Sequence, residues 1–157
     1  MQTITPCIWF DDQAEAAAEF YVSVVPNSRI LRTLRPPGPD GSPGAVIGVD
    51  FVLDGVAMQG INGGPMFPLS PAISLVLSAP TQPEIDDLWE KLLADGGEPS
   101  QCGWLTDKFG LSWQVIPPLL LDYLADPDPV RAGRVMQAML TMTKIEIPAL
   151  QAAYDGS

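Results

Sequence analysis

Two hydrophobic rhythms alternate along this chain, and the alternation happens twice. "TITPCIWF", from Thr3 to Phe10, has the period of a first strand. "DDQAEAAAEFYVSVVPNS" then changes to helical spacing, with Ala17, Phe20, Tyr21 and Val24 on one face. Asp12 followed by Glu15 predicts a capping pair for this helix, and Pro26 predicts its end. "SRILRTLR" reads as a second strand. "AVIGVDFVL" and "VAMQGIN" flank Asp54-Gly55, the strongest hairpin signal in the sequence.

After "GGPMFPLSP" the same order begins again. "AISLVLSA" predicts a strand. "TQPEIDDLWEKLLADGG" predicts a helix with a Thr81/Glu84 capping box and an apolar stripe of Ile85, Leu88, Trp89, Leu92 and Leu93. A hairpin follows, about Pro99 to Thr106 and Leu111 to Ile116, turning at "DKFG". The second half is one strand short unless a brief one hides in "GEPS". Past Pro118 the pattern is helical: "PLLLDYLA", a "DPDP" break, "VRAGRVMQAMLTMTK" and "PALQAAYD". The fold class is therefore α+β, with an internal repeat of strand, helix and strands and a C-terminal helical extension.

Composition narrows the partners. The chain has 157 residues, enough for one domain with a substantial core. The net charge of -11 and eight scattered basic residues argue against nucleic acid, which needs a basic face, and against anionic lipid. No apolar run nears the roughly twenty residues of a membrane span, and no secretion leader is visible, so a cytoplasmic protein is expected. Cys7 and Cys102 have no metal-ligand spacing and are too few for a disulfide framework. "PPGPDGSPG", Pro36 to Gly44, is loop-like, but no lysine or helix follows to make it a phosphate cradle. The chain contains no histidine, which removes Ser-His-Asp and Cys-His catalysis and imidazole metal ligands.

The repeated unit, "FDDQAEAAAEFY", "NGGP" after the first hairpin, and "CGWLTDKFGLSWQVIP" resemble the vicinal oxygen chelate superfamily of glyoxalase I, bleomycin-resistance proteins and extradiol dioxygenases. Within it the chain is most similar to the PhnB-like branch, often labelled a demethylubiquinone methyltransferase, whose tail "DPDPVRAGRVMQAML" also resembles. The resemblance implies paired βαββ(β) modules curving into a half-open barrel over residues 1–118, module one about 1–64 and module two about 70–118. Residues 119–157 would pack as a tail on the domain or on a dimer partner, and a homodimer is expected.

Metal-using members place two histidines and two glutamates in the concave pocket. By position these fall on Thr5, Gln59, Ala72 (with a possible slip of one residue) and Gln114. Neutral oxygens and an alanine are poor ligands for a divalent ion, so no metal and no cofactor are expected. Methyl transfer finds no support either: Gly63-Gly64 stand before Pro65 without the following helix that a nucleotide-type donor site wants.

What remains is a candidate ligand pocket of Thr5, Cys7, Trp9, Gln59, Ala72 and Gln114. Thr5, Cys7 and Trp9 alternate onto one strand face. Each has an ordinary reading beside it: tryptophan packs, a thiol without a base is inert, and a mid-strand amide bonds its neighbours. The remaining candidate acid or base is Asp50, alternating with Gly48 and Val52; a solvent-facing carboxylate is the favoured orientation. Val135, Met136, Met139, Leu140 and Met142 form a methionine-rich packing stripe. The functional expectation is a protein that binds a small organic molecule in a degenerate, metal-free pocket. The alternative is a metal-dependent isomerase, lyase or dioxygenase.

Overall fold

The computed structural model describes residues 2–157, which separate into two compact units, up to Leu69 and from Ser70 onward. In the first unit β1 (Cys7–Phe10), α1 (Ala14–Val24), β2 (Arg29–Leu34), β3 (Gly48–Leu53) and β4 (Val56–Asn62) follow one another. The sheet order is β1-β4-β3-β2, with β1 parallel to β4 and the remaining neighbours antiparallel. Asp54 and Gly55 both take positive φ in the β3–β4 turn, as its Asp-Gly sequence requires.

One face of this sheet is dry. Ile8, Phe10, Val49, Phe51 and Met58 are buried with Ala14, Ala17, Ala18, Tyr21 and Val24 of α1. The small alanines let the helix approach closely: a Cβ at Gly60 would already stand 3.4 Å from that of Ala14. The opposite face carries no helix of this unit.

The helix begins differently from expectation. Gln13, not Asp12, is its N-cap and makes no side-chain cap. Instead Asn62, at the end of β4, accepts from the Ala14 amide at 2.8 Å and donates to the Val46 carbonyl at 3.0 Å. A side chain distant in sequence replaces the local cap and ties helix to sheet. The first strand is also shorter than Thr3–Phe10, because Pro6 has no N–H to continue the ladder. Ahead of it, the Gln2 amide pairs with both backbone groups of Ala57, at 3.0 Å each.

The second unit repeats the plan with β5 (Ser74–Ser78), α2 (Gln82–Leu93), β6 (Glu98–Pro99), β7 (Trp104–Thr106) and β8 (Ser112–Ile116). Its order, β5-β8-β7-β6, is that of the first sheet, and β5 is parallel to β8 as β1 is to β4. The brief strand in "GEPS" is real: Glu98 and Pro99 pair with Thr106 and Leu105. Thr81 and Glu84 form the expected capping box of α2. Leu105, Trp113 and Val115 make the dry face, with Ile85 and Leu92 of α2 also fully buried.

Three helices complete this unit: α3 (Pro118–Leu124), α4 (Pro129–Leu140) and α5 (Ile147–Asp155). The segment between α4 and α5 docks beside the second sheet. Cys102 and Gly103, both at positive φ, donate to the carbonyls of Met142 and Thr143 at 2.8 Å each. Gln82 of α2 brackets the same segment, donating to the Ile145 carbonyl and accepting from the Ile147 amide. Of the methionine-rich stripe, Val135 and Met142 are buried, whereas Met136 and Leu140 stay exposed.

Candidate functional site

In each sheet the inner strand beside the parallel first strand carries a glutamine at its centre, on the face away from its own helix. In the first unit this is Gln59 of β4, in register with Cys7 of β1 and Asp50 of β3. Asp50 is in turn opposite Arg32 of β2. Residues directly opposite in a sheet share a face, so Cys7, Gln59, Asp50 and Arg32 form one row across all four strands. A register shift between Ile30 and Arg32 places Leu31 as an extra residue, and this bulge is what brings Arg32 opposite Asp50. Arg32 Nε donates to Asp50 Oδ2 at 2.6 Å.

Asp50 therefore lies on the same face as Gln59. Its side chain is 14% exposed, beside that of Arg32, which is 69% exposed. Val49 and Phe51, its neighbours, fill the dry side, so the helix-free face is the one left for Asp50. Commitment to Arg32 makes it an ion-pair partner rather than a base poised above a substrate. Burial pushes the Cys7 thiol up from its ordinary pKa, and the negative Asp50 adds to the shift. A thiol so biased is a poor nucleophile at neutral pH.

Trp9 lies on the next row, opposite Ile61. Its indole Nε1 donates to the Gly64 carbonyl at 2.8 Å, and its ring meets Phe67 edge-on at 5.0 Å. A Cβ on Gly63 would fall 2.3 Å from the ring, so the first glycine of "NGGP" is the space Trp9 occupies. Gly63-Gly64 are a seat for the Trp9 indole. Thr5 is exposed, just ahead of β1.

In the second unit Gln114 of β8 is opposite Val76 of β5 and Trp104 of β7. Its Nε2 donates to Ser74 Oγ at 2.9 Å. Ala72 lies outside β5 and is exposed. The repeat itself shows which residue corresponds to Thr5. Thr5 is two before the partner of Gln59, and the residue two before the partner of Gln114 is Ser74. The sequence reading missed Ser74, as it missed Arg32, because strand register and a bulge decide both. Trp113 faces the opposite way: it is buried, and its Nε1 donates to Asp107 Oδ2 at 2.8 Å. Asp107 also accepts from the amides of Phe109 and Leu111, which closes the "DKFG" turn.

A groove between α4 and α5 is bordered by Val130, Gly133, Arg134, Gln137 and Gly156. Arg134 already caps α5 there, donating to the carbonyls of Ala153 and Tyr154. Its polar chemistry is structural.

Residues 2–116 match the family model described as 3-demethylubiquinone-9 3-methyltransferase. The chain belongs to this family. A PhnB protein from Bacillus cereus carrying the same family description is 33% identical, with a TM-score of 0.66 over 74% of this chain and 99% of that one. Protein PA1353 from Pseudomonas aeruginosa is 19% identical, with a TM-score of 0.59 over 74% of this chain and 98% of that one. The fosfomycin resistance protein FosX from Listeria monocytogenes shares the fold at 13% identity and a TM-score of 0.54, over 80% of this chain and 98% of that one. No functionally curated protein matches the sequence. This PhnB-like chain thus shares its fold group with FosX.

The divalent metal associated with that fold group does not fit the residues present. Histidine is absent from the chain. The positions to which the resemblance points hold Thr5, Gln59, Ala72 and Gln114, with Ser74 the register counterpart of Thr5, and none of these brings charge. Gln114 and Ser74 are bonded to one another, and the Arg32 guanidinium stands on the row of Gln59, where it opposes a second cation. Among the described residues, no three of His, Cys, Asp and Glu converge as a metal site.

Proposed function

We propose that this PhnB-like protein binds a small organic molecule, Gln59 of the first unit and Gln114 of the second each offering a neutral amide where metal-dependent relatives of the fold use anionic or imidazole ligands. The observation that carries this reading is the equivalence of the two glutamines. Each is central in the last strand of its own unit, partnered by the parallel first strand, on the face away from the helix. Such amides orient a polar ligand through paired donors and acceptors, while Trp104 beside Gln114 offers an aromatic surface. The reading includes a cytoplasmic, reduced setting, supported by two free cysteines. No helix among the described residues is long and apolar enough to cross a membrane. It also includes a homodimer, supported by the exposed apolar side chains of Ile73, Val76, Met136 and Leu140.

A metal-dependent enzyme of the isomerase, lyase or dioxygenase kind remains the second reading, favoured by the FosX fold relation and opposed by every ligand position. Methyl transfer, named in the family description, has no donor-binding turn to support it: Gly63 is filled by Trp9.

The test reads the side-chain amide resonances of Gln59 and Gln114 in isotope-labelled protein titrated with a library of small organic molecules. Binders are expected to move one or both. Gln59→Ala and Gln114→Ala should each weaken such a binder by roughly five- to tenfold, the loss of one net hydrogen bond, with the fold intact. Binders that leave both resonances in place, or bind both variants with equal affinity, contradict the reading.

A further inference from the structure

The Arg32–Asp50 pair on the row of Gln59 suggests the class of molecule this site takes, an inference that rests on the binding reading above. Arg32 engages Asp50 through Nε and Oδ2 at 2.6 Å, which leaves Oδ1 as an acceptor and the terminal guanidinium nitrogens as donors. The pair is neutral as a unit. Its Asp50 side chain is 14% exposed and its Arg32 side chain 69% exposed, so the donors stand outward and the acceptor lies deeper in the face. Gln59, one strand further on and exposed, adds a second donor and acceptor. Two strand spacings from Arg32 to Gln59 give a run of about 10 Å, the length of a substituted ring.

We propose that this row recognises a neutral, planar molecule carrying a hydrogen-bond donor and acceptor side by side, such as an amide, urea or lactam, and discriminates against both organic anions and organic cations. An anion approaching Arg32 meets the Asp50 carboxylate beside it, and a cation approaching Asp50 meets the guanidinium. A donor–acceptor edge satisfies both members without separating them. The bulge at Leu31 is the device that builds the site, since an unbroken register would not set Arg32 opposite Asp50.

Benzamide, benzoate and benzamidinium have one shape and three charges, which makes them the probes. Each is titrated into the isotope-labelled full chain, following the Gln59 side-chain amide and the Arg32 Nε–H. Benzamide is expected to bind at this row at least about threefold more tightly than either ion. Asp50→Asn removes the negative member and exposes the charge of Arg32, so benzoate should gain roughly tenfold and overtake benzamide, a reversal that mere loosening of the sheet does not produce. A wild-type preference for benzoate or benzamidinium at Gln59, or an unchanged order in Asp50→Asn, overturns the proposal and leaves the binding reading standing. If none of the three probes moves Gln59 while other library members do, the proposal again fails alone. If nothing moves Gln59 or Gln114, both fail together.

Discussion

Gln59 and Gln114 were recognisable in the sequence as amides on apolar strands, and the resemblance to a known fold is what paired them. Asp50 shows where residue-level reading stops. Alternation puts Asp50 with Gly48 and Val52, but an apolar run such as "AVIGVDFVL" does not say which face is covered. The deciding contact, to Arg32, depends on a bulge that leaves no trace in hydrophobic pattern. The row makes a kinetic prediction. Cys7 should alkylate more slowly than a free thiol near pH 8, because burial and then Asp50 hold its pKa up. In a Cys102→Ala background, Asp50→Asn lowers that pKa and should accelerate iodoacetamide reaction at Cys7 severalfold without abolishing the burial effect. An unchanged rate would place the thiol outside the row.

At the scale of elements, periodicity carried most of the information. Both helices, the Asp-Gly hairpin and the duplicated order follow from residue pattern, because each element must bury one face against its own partner. The failures have local causes. Asp12 is a good cap by composition, yet Asn62 caps α1 from the far end of β4. A two-residue strand at Glu98–Pro99 is too short to show a period. The "DKFGLSWQ" motif separates into two jobs by strand alternation: Asp107 and Trp113 lock the turn on the dry side, and Gln114 faces away. Asp107→Ala should therefore cost about 2–4 kcal/mol, since it orphans buried donors, and lower Tm clearly. Gln114→Ala should leave Tm within a few degrees. Calorimetry on the two variants checks the division. Asn62→Ala, which removes the remote cap, should cost about 1 kcal/mol.

For the whole molecule, the sequence indicated a repeat followed by helices and left open where the helices rest. The second unit answers this for the segment after α4: Gln82 brackets it, Ile145 is fully buried, and Lys144 pairs with Asp86 at 2.6 Å. Sequence could not supply this because the docking bonds are to backbone groups. Gln82→Ala should open this segment to limited proteolysis around residues 141–147, whereas substituting the exposed Gln137 should not. The attachment also has a pH signature. The Asp86 carboxyl is held below its ordinary value by the Lys144 and Gln82 hydrogen bonds, and Asp126 by Tyr154 and the Asp128 amide. Folded values below the unfolded ones mean the contribution is complete above about pH 4 and is lost as pH falls through the lowered values. Asp86 is exposed and Asp126 half-buried, so the effect is small. It should appear as growing protease sensitivity of the tail between pH 4 and 2, and it should be muted in Lys144→Met.

Native mass spectrometry of untagged protein, purified without chelators, tests the central claim most directly, because neutral amides at Gln59 and at Gln114 predict an organic occupant rather than a metal. The account predicts a chain free of stoichiometric metal that retains, or takes up on addition, a neutral organic molecule. One equivalent of a divalent metal that survives desalting would contradict it and turn attention to the enzyme reading.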